Sequence, residues 1–345
     1  MSAPSSRARA LPGWLTSGAR LVALALLATA VFLALTWGGL ALALDGPGRV
    51  LAIVYALASV LLLALAFVRG RRWAWLACGG LFALVLAWWL SIEPRNDRLW
   101  LPDVSQLATA RVEGERLTIT NLRNFEYRTE SDFTPRWEER SYDLSRVTGV
   151  DLCVCDWGAG LIVHTMLSWE FEDEQHLVVS IETRKEVGEG YSALRGFFRQ
   201  FELYYVVGDE RDLIGVRTGL RGERVRLYRL AMSAENARAL LVDYAQRINH
   251  LSAEPAWYNA LTHNCTTSIR LHAIDLGIEQ PWDWRILVNG RGEELLYQRG
   301  MVDASLPFEE LRARSDVTEA ARAAGTRPDF SRLIRERVLP RPRRP

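Results

Sequence analysis

Three long runs without a single charged side chain follow one another inside the first 92 residues, and no other feature restricts the chain so tightly. Leu21–Leu44 lies between Arg20 and Asp45, residues 50–68 between Arg49 and Arg69, and residues 73–92 between Arg72 and Glu93. Each is long enough for an α-helix to cross a hydrocarbon layer of about 30 Å. Trp37, Trp73, Trp75, Trp88 and Trp89 fall near the ends of their runs, where amphipathic rings favour a membrane–water interface. Buried helices of a water-soluble protein would need a large partner core, and three such runs in about 70 residues leave almost nothing to bury them. A cleaved leader does not fit either: the first run is too long, and no small-residue cleavage site separates it from the second.

Charge divides the chain at the same place. Residues 1–95 hold eight Arg and two acids of the 42 basic and 41 acidic residues in the whole chain, which leaves 34 basic against 39 acidic for the remainder. Arg7, Arg9 and Arg20 precede the first run, and Arg69, Arg71 and Arg72 link the second to the third. Positive segments stay in the cytoplasm. The expectation is therefore a cytoplasmic tail over 1–20, a three-helix anchor over 21–92, and everything after Glu93 on the periplasmic side of a bacterial inner membrane. The first dozen residues and the closing PRPRRP are expected to be disordered.

Residues 96–310 read as one α+β domain, with 311–345 as a C-terminal extension ending in that basic, proline-rich tail. LTITNL (117–122) alternates as a strand does, and VDLCVCDW (150–157) puts Val150, Leu152 and Val154 on one face and Asp151, Cys153 and Cys155 on the other. LIVHTMLSWEF and HLVVSIETR flank the acidic turn 172–175 as an antiparallel hairpin, and ELYYVV and RVRLYRL supply further strands. Ser233 is placed to cap a helix running through Ile248, with Ala237, Leu240, Leu241, Tyr244 and Ile248 inward. A second helix is expected from Cys265, ending at Gly277.

The composition excludes several function classes. No paired Cys or His spacing suits a metal, no Gly-rich loop follows a strand to hold a nucleotide, and the outer part is slightly acidic with no basic stripe for nucleic acid. No cofactor is called for. Oligomeric state is not legible. Cys78 sits in the third apolar run, and Cys153 and Cys155, two apart on one strand, are placed as small core residues.

Cys265 differs from these. In THNCTTSIRLHAIDLG a polar turn runs into an amphipathic helix. With Asn264 as N-cap, the thiol stands in the first helical turn, where unpaired amides and the positive dipole end favour a nucleophilic thiolate. A base is needed as well. His164 lies in an otherwise apolar strand, and a turn centred on Asp173 sets it opposite Glu182, which would orient the ring. A lone Cys at a helix start and a lone strand His are also ordinary structural features, so the spacing alone leaves both readings open.

The order of His on a strand, acid on the next strand and Cys at a helix start resembles the circularly permuted papain-like, NlpC-type fold. More closely, NDRLW (96–100), NLRNFEYR (121–128), HTMLSWEF (164–171), SIETRKE (180–186), YSALRGFFRQFELYYVVGDERD (191–212) and HNCTT (263–267) resemble the Lnb N-terminal periplasmic domain family. That resemblance implies a thiol-dependent acyl-transfer enzyme with Cys265 as nucleophile and His164 as base. The family's named member is a lipoprotein N-acyltransferase, which makes membrane lipid and lipoproteins the expected partners. Amides at the helix start near Cys265 are expected to hold an oxyanion. Arg123, Tyr127 and Arg128 are candidate substrate contacts, and His263 and Asn264 candidate supporting residues. The competing classes are a cysteine peptidase or amidase acting on peptidoglycan, which wants an open polar groove, and a non-catalytic envelope scaffold.

Overall fold

The structure is a computed structural model that describes residues 13–342; the expected disorder of 1–12 and of 343–345 lies outside the described residues. The chain forms two compact units, Met1–Glu93 and Pro94–Pro345.

The first unit is three helices, α1 (Gly13–Leu44), α2 (Arg49–Phe67) and α3 (Arg72–Leu90). All three are long and apolar enough to cross a membrane. They keep most of their apolar side chains exposed, as hydrocarbon-facing helices do. Gly38 lets α1 and α2 approach closely: a Cβ there would stand 2.3 Å from the Tyr55 hydroxyl. Trp89 Nε1 on α3 donates to Asp45 Oδ2 just past α1 at 2.7 Å, and the Trp89 ring meets Trp37 edge-on at 5.1 Å. The C-terminal ends of α1 and α3 therefore lie together, with α2 returning between them.

The second unit is built on one sheet. Its strands are β1 (Thr109–Glu113), β2 (Arg116–Arg123), β5 (Trp137–Asp143), β6 (Val147–Asp156), β7 (His164–Phe171), β8 (His176–Arg184), β9 (Glu202–Gly208) and β10 (Arg224–Arg229). Between β2 and β5, β3 (Glu126–Tyr127) and β4 (Phe133–Thr134) form a separate small hairpin. The order is β1-β2-β9-β8-β7-β6-β10, with β5 also on β2. Every pairing is antiparallel except a single parallel bridge, Arg123 with Gly208, between β2 and β9. The helices are α4 (Glu210–Gly215), α5 (Ala234–Ala253), α6 (Cys265–Asp275), α7 (Gly292–Gln298), α8 (Phe308–Arg314), α9 (Thr318–Ala324) and α10 (Phe330–Leu333).

Strand alternation gives the sheet two buried faces. Leu152, Val154, Leu167, Trp169, Val179 and Ile181 pack on one face with Leu240, Leu241 and Tyr244 of α5. Trp169 Nε1 bonds the Ala237 carbonyl at 2.8 Å, and Ile269 of α6 joins the same face. Cys153, Cys155, Met166, Val178 and Tyr204 turn to the other face, against Leu213, Val317 and Phe330. A sheet buried on both sides needs more chain than 96–310. Residues from 311 onward supply it: the Val317 amide bonds the Val225 carbonyl at 2.9 Å, and Ala321, Phe330 and Ile334 fill the second core. The stretch read as an extension is thus part of the same unit. Arg341, inside the tail expected to be disordered, is anchored on Asp151 at 2.7 Å and Glu170 at 3.0 Å. Gly149 makes room for it, since a Cβ there would meet its guanidinium at 2.3 Å.

NDRLW opens this unit. Asn96 bonds the Leu251 and Ser252 carbonyls at the end of α5, and the Arg95 amide bonds Glu202 at 3.0 Å. The chain is therefore fixed to the domain at Arg95 and Asn96, within three residues of Glu93.

Candidate active site

The β7–β8 hairpin sets the first half of the site. Its register pairs Met166 with Ser180, Leu167 with Val179 and Ser168 with Val178, which brings the start of β7 opposite Glu182. His164 is the first residue of β7 rather than embedded in a longer strand. Leu161 and Ile162, expected within the strand, are exposed before it, and the Val163 backbone is bound by the Asn289 side chain.

His164 and Glu182 approach to 3.6 Å, with Ser180 between them. His164 Nε2 lies 2.7 Å from Ser180 Oγ, which lies 2.7 Å from Glu182 Oε1. A carboxylate only accepts, so the one hydroxyl proton of Ser180 points to Glu182. Ser180 then accepts from Nε2–H, and the basic lone pair of the imidazole is on Nδ1. Burial works to raise the Glu182 carboxyl. Arg217, 2.8 Å away, outweighs it together with His164, Arg221 and Arg123, and holds Glu182 well below the usual carboxylate range. Burial, and then the Arg217 charge, push the imidazole down to about 3 against the pull of Glu182, so the ring is neutral at neutral pH. Arg217 projects from the single π turn Val216–Leu220 and also binds Glu223 at 3.0 Å.

The second half is the start of α6. Asn264 caps it in a reciprocal box: its side chain accepts from the Thr266 and Thr267 amides, and its own amide donates to Thr267 Oγ1. Cys265 is the first helical residue and is buried, with its sulfur 3.9 Å from Thr266 Oγ1. The cap changes one expectation. The Thr266 and Thr267 amides are already satisfied, so the N–H left at the helix start for an oxyanion is that of Cys265 itself. Further along α6, His272 fixes the helix axis by bonding Asp243 of α5 and, at 2.7 Å, the Tyr205 hydroxyl of β9, while stacking on Tyr244.

A knot of three side chains joins the halves. Thr165 Oγ1 lies 3.2 Å from Thr266 Oγ1. Asn289 Nδ2 donates to Thr266 Oγ1 at 2.6 Å and to the Val163 carbonyl at 2.7 Å, and its Oδ1 accepts from the Val163 amide at 2.8 Å. Because Thr165 faces α6, the neighbouring His164 turns to the opposite face, toward Ser180 and Glu182. The thiol is on the first residue of its helix and the ring on the first residue of its strand. Among the described residues no hydrogen bond joins them.

The other candidates are placed elsewhere. Arg123 is buried on Asp212 at 2.8 Å, and the Tyr127 hydroxyl and the Phe125 amide bind the same carboxylate. Arg128 pairs with Asp132 at the surface. The polar groups of all three are committed to these joints. His263 bonds Thr262 at 2.9 Å and lines a separate cleft with Asp243, His250 and His272. A cavity of about 850 Å³ has His176, Arg211 and Arg335 in its walls and none of the candidate catalytic residues. No three His, Cys, Asp or Glu side chains among the described residues are grouped to hold a metal ion.

Residues 133–290 match the Lnb N-terminal periplasmic domain family. No curated protein and no solved structure matches the chain. The matched stretch takes in the hairpin with His164, Ser180 and Glu182, the π turn with Arg217, the α6 start with Cys265, and Asn289; it leaves out Arg123, Tyr127 and Arg128. Together with the three apolar helices, it describes a membrane-associated protein with a periplasmic-type domain.

Five participants escaped the sequence reading, Thr165 and Thr266 of the knot among them. Ser180 had a signal: Ser180, Glu182 and Arg184 put polar groups at every second position of an apolar strand, hence on one face. Arg217 and Asn289 had none, for their partners are distant in the chain and their segments read as surface turns.

Proposed function

We propose that this protein is a periplasmic acyltransferase anchored in the inner membrane, with Cys265 as nucleophile and His164 as general base. The observation that carries the proposal is the Glu182–Ser180–His164 relay, tied to the helix start that bears Cys265 through the Thr165–Thr266–Asn289 knot. The strand–strand–helix order of His, acid and Cys accords with a permuted papain-like arrangement, and the family match supports a periplasmic location. The arginine pattern supports an inside N-terminus.

The reaction follows from the tautomer. Nδ1 of His164 accepts the Cys265 proton as the sulfur bonds to an ester carbonyl carbon. The Cys265 amide holds the developing oxyanion. The carbonyl re-forms as the C–O bond to the leaving alkoxide breaks, and that alkoxide takes the proton from the imidazolium, leaving a thioester. The amine of a lipoprotein N-terminus then attacks, passes a proton to Nδ1, and expels the thiolate, which recovers that proton. Glu182 stays a carboxylate and stabilises the imidazolium through Ser180. A neutral resting ring is the state the first step requires.

Incubation of the full chain with phospholipid and a diacylated lipopeptide, followed by mass spectrometry, tests the reading. The lipopeptide should gain one acyl group, and Cys265→Ala should abolish the gain while keeping the fold. Cleavage of murein peptides with both lipids unchanged would replace this reading with the peptidase one.

A further inference from the structure

We propose that the loops at one end of the sheet form a membrane-docking surface, whose apolar tips enter the interfacial layer of the bilayer to which α1–α3 anchor the chain. Strand pairing defines that end. Arg224 pairs with Asp156, Cys155 with His164 and Arg184 with Glu202, and β7 and β8 run antiparallel. The close of β6 and β8 and the opening of β7, β9 and β10 therefore stand in one row. Loops 157–163 and 185–201 leave the sheet there. The first carries Leu161 and Ile162 and the second Tyr191 and Leu194, all exposed, Leu161 at 68%. The segment after α6 adds Trp282 and Trp284, 60% and 54% exposed. It is pinned to the first loop, because the Gly290 amide donates to the Leu161 carbonyl at 3.0 Å and Asn289 holds the Val163 backbone. The Ala260 amide donates to the Gly196 carbonyl at 2.7 Å, which ties the second loop to the turn before Cys265.

An exposed apolar patch of this kind marks an interaction surface, and two observations favour a bilayer as its partner. The first is the tether. The Arg95 amide donates to Glu202, the first residue of β9, at 3.0 Å, so the link from α3 joins the domain at this same end. The helix closes at Leu90, and the chain from there to Arg95 spans at most roughly 18 Å. The second is the contrast between the two ends. The β7–β8 turn at the opposite end is acidic, with Glu172, Asp173 and Glu174, and Glu113 and Glu115 border the same cleft as Asp173. Acidic tips remain in water, whereas exposed leucine, isoleucine and tryptophan favour the membrane interface. Two acids that share the docking end are neutralised there, Glu186 by Arg98 at 2.6 Å and Asp283 by Arg285 at 2.9 Å. Arg270 lies 5.9 Å from the centre of the Trp282 ring, a cation beside an indole as suits a headgroup layer. Docking would bring the segments that bear His164 and Cys265 to the bilayer surface, and the inference stands apart from any reaction at those residues.

The full-length protein, reconstituted in vesicles of phosphatidylethanolamine and phosphatidylglycerol, tests this. The photoreactive residue p-benzoylphenylalanine is placed in turn at Leu161, Leu194, Trp284 and Asp173, and the adducts formed on irradiation are identified by mass spectrometry. Phospholipid adducts are expected at the first three positions and not at Asp173, which controls for the apolar character of the probe itself. Adding Ile162→Asp should cause a loss of lipid adduct at Leu161 and at Trp284, since the two loops are pinned together. Lipid adducts missing from any of the three positions, or as abundant at Asp173, overturn the inference. Cross-links to a second copy of the chain or to α1–α3 in place of lipid overturn it as well, and give the surface to self-association or to the protein's own helices. An adduct yield unchanged by Ile162→Asp also counts against docking through these loops; if that variant fails to fold, the four-position map decides alone.

Discussion

Thr165 and Thr266 follow His164 and Cys265 in the chain, and their hydroxyls lie 3.2 Å apart, with Asn289 bonded to the second of them. One hundred and one residues of sequence separate the two threonines. The contact fixes where the helix start stands relative to the strand start, and so where thiol and imidazole stand relative to each other.

The knot predicts a measurable proximity and a measurable cost. In a protein with Cys78, Cys153 and Cys155 replaced by Ala, His164→Cys should form a disulfide with Cys265 under mild oxidation, which requires Cα atoms within about 7 Å. Asn289→Ala should lower stability by about 1–3 kcal/mol, because it strips partners from the buried Val163 backbone groups, and should slow the same disulfide. A free, uncrosslinked pair of thiols in the folded His164→Cys protein would argue that strand and helix ends do not meet.

Acid should weaken the native fold through His164. Its folded-state value is depressed, to about 3. The native state therefore refuses a proton that the unfolded chain binds near pH 6.5, and stability is lost as pH falls from about 6.5 toward 3. At pH 5 the penalty is on the order of 2 kcal/mol. Melting of wild type and His164→Asn at pH 7.5 and pH 5 measures it: the wild type should lose more on acidification. Parallel losses would show that the ring is solvated enough to titrate normally.

Glu202 predicts the reverse slope. Burial raises its carboxyl to about 7, against the Arg95 amide and Arg98. A raised folded value gives stability that is complete below the ordinary carboxylate range and disappears as pH rises through about 7. Relative to Glu202→Gln, the wild type should therefore fall in melting temperature between pH 5 and pH 8. A constant difference across that range would show that Glu202 is ionised throughout.

Thiol labelling should separate the cysteines of the second unit. Cys153 and Cys155 are fully buried; burial raises the first well above its ordinary value and pushes the second up to about 12. Peptide mapping after brief treatment with iodoacetamide near neutral pH should find the label on Cys265. Equal labelling of Cys153 would remove the case for a distinct thiol.

Topology is open to a direct assay. Periplasmic reporters fused after Arg95 should be active and those inserted at 69–72 inactive. Activity in the opposite sense would place the domain in the cytoplasm, and the lipoprotein reading would fall with it.

Much of this protein is written locally. Helix-length apolar runs are their own signal, and α1–α3 follow from them without regard to the rest of the chain. The β7–β8 register follows from strand alternation and a short turn, so the pairing of His164 with Glu182 was legible. The Asn264 cap and the inward face of α5 were legible for the same reason: each depends on residues within a few positions. What the tertiary structure decided depends on contacts between distant segments. Ser180 stands between His164 and Glu182, within hydrogen-bond reach of both, a contact that depends on where the three side chains point across the hairpin. Arg217 reached Glu182 from a turn that carries no periodic pattern. Arg341 became structural by joining Arg229 and Arg335 on the Asp151 and Glu170 carboxylates, from a tail 171 or more positions away. Arg123 was spent on Asp212, a partner 89 positions away, since a guanidinium buried at a strand end must be neutralised where it lies.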